Sequence, residues 1–122
     1  MKRIVCIVCL LMIGFFSLLH SITLEDIEFC LQRELRIILQ KNHEQIIEPI
    51  QQQTASKEWL QTVIDYAKFI QDAQIAADCH YQLATRFHDL ESAVQWIILA
   101  SSQAVKAEEY ETQLSMLKRI FI

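Results

Sequence analysis

The sequence predicts an all-α protein in which antiparallel helix-turn-helix units follow an N-terminal apolar segment. Three observations predict it. The 122 residues contain one Gly and one Pro, whereas a β-rich domain needs many turns built on Gly, Asn-Gly and Pro. Ala, Leu, Gln, Glu and Ile dominate, and most of these are good helix formers. Apolar residues recur at helical spacing, and capping residues stand ahead of the runs.

The N-terminus stands apart from that fold. Met1, Lys2 and Arg3 precede Ile4 to Leu19, a run with no polar side chain before Ser17. A basic start, an apolar stretch and then polar residues describe a secretory signal peptide. The run is long for a signal core and slightly short of the about 20 residues that span a bilayer. Residues 1–21 therefore read as a cleaved signal peptide, with Ser21 at a poor cleavage site, or as a retained transmembrane anchor attaching the chain through residues 4–20. Either way Lys2 and Arg3 stay inside and the acidic "LEDIE" crosses. The expected location is secreted or periplasmic. The alternative is an anchored protein whose C-terminal part lies outside the cytoplasm.

Each following element has its own signal. Thr23 reads as an N-cap, with Asp26 completing a box and Glu25 and Glu28 suiting a helix start. Leu24, Ile27, Leu31, Leu35 and Ile38 then form one face of a helix expected to run to about Gln40. "EQIIEPIQQQ" reads as a short helix bent at Pro49. "PIQQQTAS" is the best linker, so residues 22–53 form an N-terminal arm and 54–122 the main domain. Ser56 or Thr54 caps "KEWLQTVIDYAKFIQDA", whose polar Gln61, Asp65, Lys68 and Asp72 share a narrow arc and imply contact on two sides. The next helix is expected to begin near Ile75. His88 and Asp89 break it, and Asp89 caps "LESAVQWIILASSQ". There Leu90, Val94, Ile97 and Ile98, with Ala93, Trp96 and Ala100, cover about 200° at about 100° per residue, again implying two-sided contact. The last helix starts acidic at Glu108 and Glu109 and ends with Lys118 and Arg119, as the helix dipole prefers.

Two segments echo each other. "YAKFIQDA" (66–73) aligns with "AVQWIILA" (93–100) at a spacing of 27 residues, placing Phe69 on Trp96 and Ala73 on Ala100. Within one unit the pattern is fuller. "CHYQLATRF" resembles the first helix of a Sel1-like or tetratricopeptide repeat, A-x-x-x-L-G-x-x-Y, with Cys79, Leu83, Ala84 and Phe87 in the four places. "DLESAVQWIILAS" resembles the second Sel1-like helix, D-x-x-x-A-x-x-W-x-x-x-A, through Asp89, Ala93, Trp96 and Ala100. The resemblance covers residues 76–102, with half-units on either side and an inter-helix loop cut to little more than His88. It implies close ridge-into-groove packing at the alanines, with Trp96 filling the groove. It also implies a scaffold that binds a protein or peptide.

Composition excludes other roles. Without Lys2 and Arg3, 9 basic residues face 15 acidic ones, so the exported part has no footprint for nucleic acid. Cys6 and Cys9 belong to the apolar run. Cys30 and Cys79 form a candidate disulfide in an exported chain, set against two small buried residues. His43 and Glu44 lack the second His of a zinc-protease motif. Asp78, Cys79, His80, His88 and Asp89 are the densest chemical cluster. On one helix His80 and His88 would stand about 12 Å apart in rise, too far for one metal with bonds of about 2 Å. No catalytic, cofactor or metal residue is expected. Trp59, Tyr66 and Tyr110 are candidates to line a partner groove, against the commoner role of aromatics as core.

The expected function is therefore protein–protein interaction by an exported helical-repeat protein without catalysis. One rival is a membrane-anchored structural or accessory subunit of a larger complex, with homo-oligomerisation through the Leu24–Ile38 stripe. A second rival is a small metal-binding or enzymatic protein using His80 or His88.

Overall fold

A computed structural model describes residues 22–122. The expected signal or anchor over residues 1–21 lies outside the described residues. Among the described residues there are seven helices and no strand: α1 (Leu24–Gln32), α2 (Arg36–Lys41), α3 (His43–Gln51), α4 (Lys57–Phe69), α5 (Ala73–Phe87), α6 (Leu90–Ser101) and α7 (Ala107–Phe121). None is long and apolar enough to cross a membrane. The chain divides into two compact units, one up to Glu48 and one from Pro49 to Ile122.

In the first unit Thr23 caps α1 as its sequence predicts. Its hydroxyl accepts the Asp26 N–H at 3.2 Å, and the Asp26 carboxylate accepts the Thr23 N–H at 3.0 Å. The single helix expected from Leu24 to Gln40 is two helices, broken at Arg33–Leu35, with Glu34 left-handed at φ 55. Burial supplies the reason. Ile27, Cys30, Ile38 and Leu39 are all in the core, yet at 100° per residue Cys30 and Leu39 would face opposite sides of one straight helix. The turn lets both face inward. Asn42 is buried and donates through Nδ2 to the Ile38 carbonyl at 2.8 Å.

In the second unit Pro49 lies inside the last turn of α3. Ser56 caps α4, its hydroxyl accepting the Trp59 N–H at 3.1 Å. Asp72 caps α5, which starts at Ala73, two residues earlier than expected at Ile75, because the Asp72 Oδ1 accepts the N–H groups of Gln74 and Ile75. Asp89 caps α6 in the same way through Glu91 and Ser92. The helix α5 packs on both α4 and α6, and α7 packs on α5 and α6. Short connections make sequential helices antiparallel neighbours, so α4 and α6 run the same way on either side of α5.

The helix ends carry a feature the composition hides. Glu34, Gln53, Gln71, His88 and Gln103 all have positive φ, between 53 and 66. Four of these turns show the same pair of closing bonds. After α6, Gln103 N–H reaches the Ala100 carbonyl and Ala104 N–H the Leu99 carbonyl, both at 3.1 Å. Equivalent pairs follow α1, α3 and α4. This is the Schellman closure, which glycine normally serves, carried here by Glu and Gln.

Candidate functional site

Most of the residues expected to pack the repeat-like unit are buried. Cys79, Leu83, Ala84, Ala93, Trp96 and Ala100 are buried. Trp96 is the centre of a core cluster with Ala77, Ala84, Ala93, Ala104 and Leu117. Its indole N–H donates to Gln113 Oε1 at 3.0 Å. Tyr110 stacks on it at 5.7 Å between ring centroids, and Tyr81 lies tilted at 6.3 Å. The small alanines let α5 and α6 approach, and the large ring fills the space towards α7.

Phe87 departs from that pattern. It ends α5 with 37% of its surface exposed, and the Arg86 guanidinium lies 5.1 Å over its ring. The chain has already begun to turn into left-handed His88, so the side chain does not reach the core. The 27-residue echo also fails locally: α4 ends at Phe69 and Ala73 opens α5, whereas Ala100 is buried inside α6. Two-sided contact does not hold for α6. Leu90, Val94, Ile97 and Ile98 are 60%, 48%, 43% and 56% exposed. These four form a continuous apolar stripe along the helix.

Of the aromatics expected in a partner groove, Tyr66 is core. It is fully buried, and burial together with the nearby Asp72 pushes its hydroxyl up to about 12. Trp59 is half-buried. Tyr110 is half-buried against Trp96 and lines a hollow of about 600 Å³ at the α6–α7 turn. Cys30 and Cys79, the candidate disulfide, are free thiols, each buried, Cys30 in the first unit and Cys79 in the second. Burial pushes Cys30 up to about 11, with Asp26 adding to it, and raises Cys79 further, with Asp78 adding. Among the described residues no three His, Cys, Asp or Glu side chains are grouped to hold a metal ion.

A groove the sequence reading missed runs over α5 between α4 and α6. It consists of two adjoining hollows, of about 430 and 270 Å³, that share Lys68, His80 and Gln95. One end carries three carboxylates, Asp65 from α4, and Asp89 and Glu91 from the start of α6. The other end is mainly apolar, walled by Ala67, Ala76, Ile98 and Leu99, with Asp72 also in its lining. His80 sits between them. Its Nδ1 is buried and has no hydrogen-bond partner among the described residues. Burial lowers its proton affinity, Lys68 lowers it further, and Asp89 and Glu91 partly oppose both. The only signal for this groove in the sequence was the shared polar arc of Gln61, Asp65 and Lys68 on α4, which reads equally as a solvated face.

On the opposite side of α5, Gln82 is buried and fully used. Its Nε2 donates to the Ile50 carbonyl at 2.6 Å, and its Oε1 accepts from Arg86 at 3.3 Å. Nearby Asp78 is held above the usual carboxylate range by burial, with the Glu109 charge adding and its hydrogen bond from Gln82 opposing.

No family model, no curated protein and no solved structure matches this chain.

Proposed function

We propose that this is an exported helical protein that works by binding another protein and performs no catalysis of its own. The observation that supports this best is the groove over α5, open to solvent, apolar at one end and acidic at the other. The buried cluster that joins Ala84 of α5 to Ala93 and Trp96 of α6 supports that reading, as does the basic-then-apolar segment at residues 1–21. A scaffold of stacked helices presents such a groove without moving parts.

The second reading is a membrane-anchored accessory subunit. The apolar run from Ile4 to Leu19 and the open stripe Leu90, Val94, Ile97 and Ile98 favour it, since an unpartnered apolar helix face suits a neighbouring subunit. Intact mass from the native cells separates the two. A soluble chain beginning near Ile22 supports the exported binder, and a membrane-bound chain retaining Met1 supports the anchored subunit. Affinity capture of either form that yields no stoichiometric protein removes both.

A further inference from the structure

We propose that the groove over α5 recognises an extended peptide segment carrying one basic residue and, three positions later, one aliphatic residue. This rests on the binding-protein reading above and goes further by naming the surface and the partner's chemistry.

The two ends of the groove ask for different side chains. At the first end Asp65, Asp89 and Glu91 converge from two helices, with only Lys68 among the lining residues to oppose them. Asp65 and Glu91 are exposed, so their carboxylates are available to a cation. Asp89 already accepts the Glu91 and Ser92 N–H groups, so it contributes field more than a free oxygen. A Lys or Arg side chain complements that charge, and an acidic one is repelled. At the second end Ala67 and Ala76 leave room that Ile98 and Leu99 wall, a slot for a branched aliphatic side chain; Asp72 also lines it, but its Oδ1 is engaged by the Gln74 and Ile75 N–H groups. Ile98 is more than half exposed, so a ligand there removes apolar surface from water.

The spacing follows from α6. Glu91 and Ile98 are seven residues apart on one helix, about 10 Å of rise at about 1.5 Å per residue. An extended chain advances about 3.3 Å per residue, so about 10 Å is three residues. A helical ligand would need seven residues over the same distance, and its width of about 10 Å is poorly suited to hollows of these volumes. Between the two ends Gln95 is exposed and within the lining of both hollows, placed to hydrogen-bond the ligand backbone.

The test uses the full-length protein in mild detergent and three fluorescein-labelled peptides with Gly-Ser flanks: Lys-Ser-Ser-Leu, Glu-Ser-Ser-Leu and Lys-Ser-Ser-Ser. Anisotropy titration is expected to give at least tenfold tighter binding for Lys-Ser-Ser-Leu than for either control. Asp65→Lys with Glu91→Lys is expected to reverse the order of the first two peptides, a gain that a misfolded variant cannot produce. Ile98→Asp is expected to remove the advantage of Leu over Ser. Equal binding of all three peptides, no binding, or an unchanged order in the charge-reversed variant overturns the proposal. Affinity capture with the same variants then separates the two levels. A protein partner still captured by both variants leaves the binding reading standing and places its surface elsewhere, whereas loss of every partner and every peptide removes both.

Discussion

Replacing Gln53 and Gln103 by Gly should make the protein more stable, although each change deletes a whole side chain. Both residues are exposed, both lie in non-helical turns, and both have left-handed backbone, at φ 58 and 66. A residue with a Cβ pays about 1–2 kcal/mol for that conformation. Glycine avoids the penalty but loses about 0.5–1 kcal/mol more conformational freedom on folding. The difference leaves about 0.5–1 kcal/mol of stabilisation at each site. The closing bonds survive, because they use backbone groups alone: Gln53 N–H to the Ile50 carbonyl and Thr54 N–H to Pro49 after α3, Gln103 to Ala100 and Ala104 to Leu99 after α6. The turns share no partner, so the double variant should gain about 1–2 kcal/mol. Urea unfolding followed by circular dichroism reads this as a higher midpoint with unchanged slope. Gln61→Gly is the control. Gln61 is equally exposed but lies inside α4, where the same change should cost about 1 kcal/mol. Opposite signs at the turns and in the helix confirm that backbone handedness, not the lost side chain, sets the effect. Destabilisation at all three positions would refute the reasoning.

Trp96→Ala should cost about 3–5 kcal/mol, the range for a large aromatic removed from a core, and Trp96→Phe should cost less while leaving Gln113 Oε1 without its donor; both are read by thermal melting. Gln82→Leu should cost about 1–3 kcal/mol, because the buried Ile50 carbonyl loses the 2.6 Å bond it accepts, and hydrogen exchange near residues 49–52 should rise with it. His80 titrates below its ordinary 6.5 in the folded chain, so the unfolded chain takes up the proton first. Its contribution is present in full above about pH 6.5 and is lost as the pH falls from there towards the folded value. The wild type should therefore lose more melting temperature between pH 7.5 and 5.5 than His80→Gln, and equal losses would show that His80 carries no such linkage.

How much was legible in the sequence depended on which rule each residue followed. The capping side chains at Thr23, Ser56 and Asp89 were readable because a short polar side chain before an apolar run has one common use. The inward face of the α5–α6 pair was readable from Ala93, Trp96 and Ala100, since small and large residues at helical spacing imply close packing. The break after Gln32 was not, because the usual marker of a helix end is a glycine and Glu34 takes that place. Leu90, Val94, Ile97 and Ile98 were read as buried because amphipathic analysis reports apolar character and not whether a neighbour is present. The groove needed the relation between α4 and α6, which no local pattern contains. Its residues come from three helices and have nothing unusual in their own spacing.

That relation is set at two turns, and aspartate controls both. After α4, the Asp72 N–H closes the helix end on the Ala67 carbonyl at 2.8 Å, while its carboxylate caps α5 at Gln74 and Ile75. After α5, the Asp89 N–H reaches back to the Leu83 carbonyl at 3.3 Å, while its carboxylate caps α6. Each residue therefore ends one helix with its backbone and starts the next with its side chain. That leaves two residues, Ile70 and Gln71, between α4 and Asp72, and only His88 between α5 and Asp89. Connections this short leave few crossing geometries. Gln71 and His88, two of the five left-handed residues, fall in these two turns, each in a conformation that costs a residue with a Cβ about 1–2 kcal/mol. Longer, glycine-bearing loops would relieve that strain and loosen the placement of α4 and α6 on α5. The width of the groove, and the spacing between its acidic and apolar ends, then depend on turns that are strained and tight together.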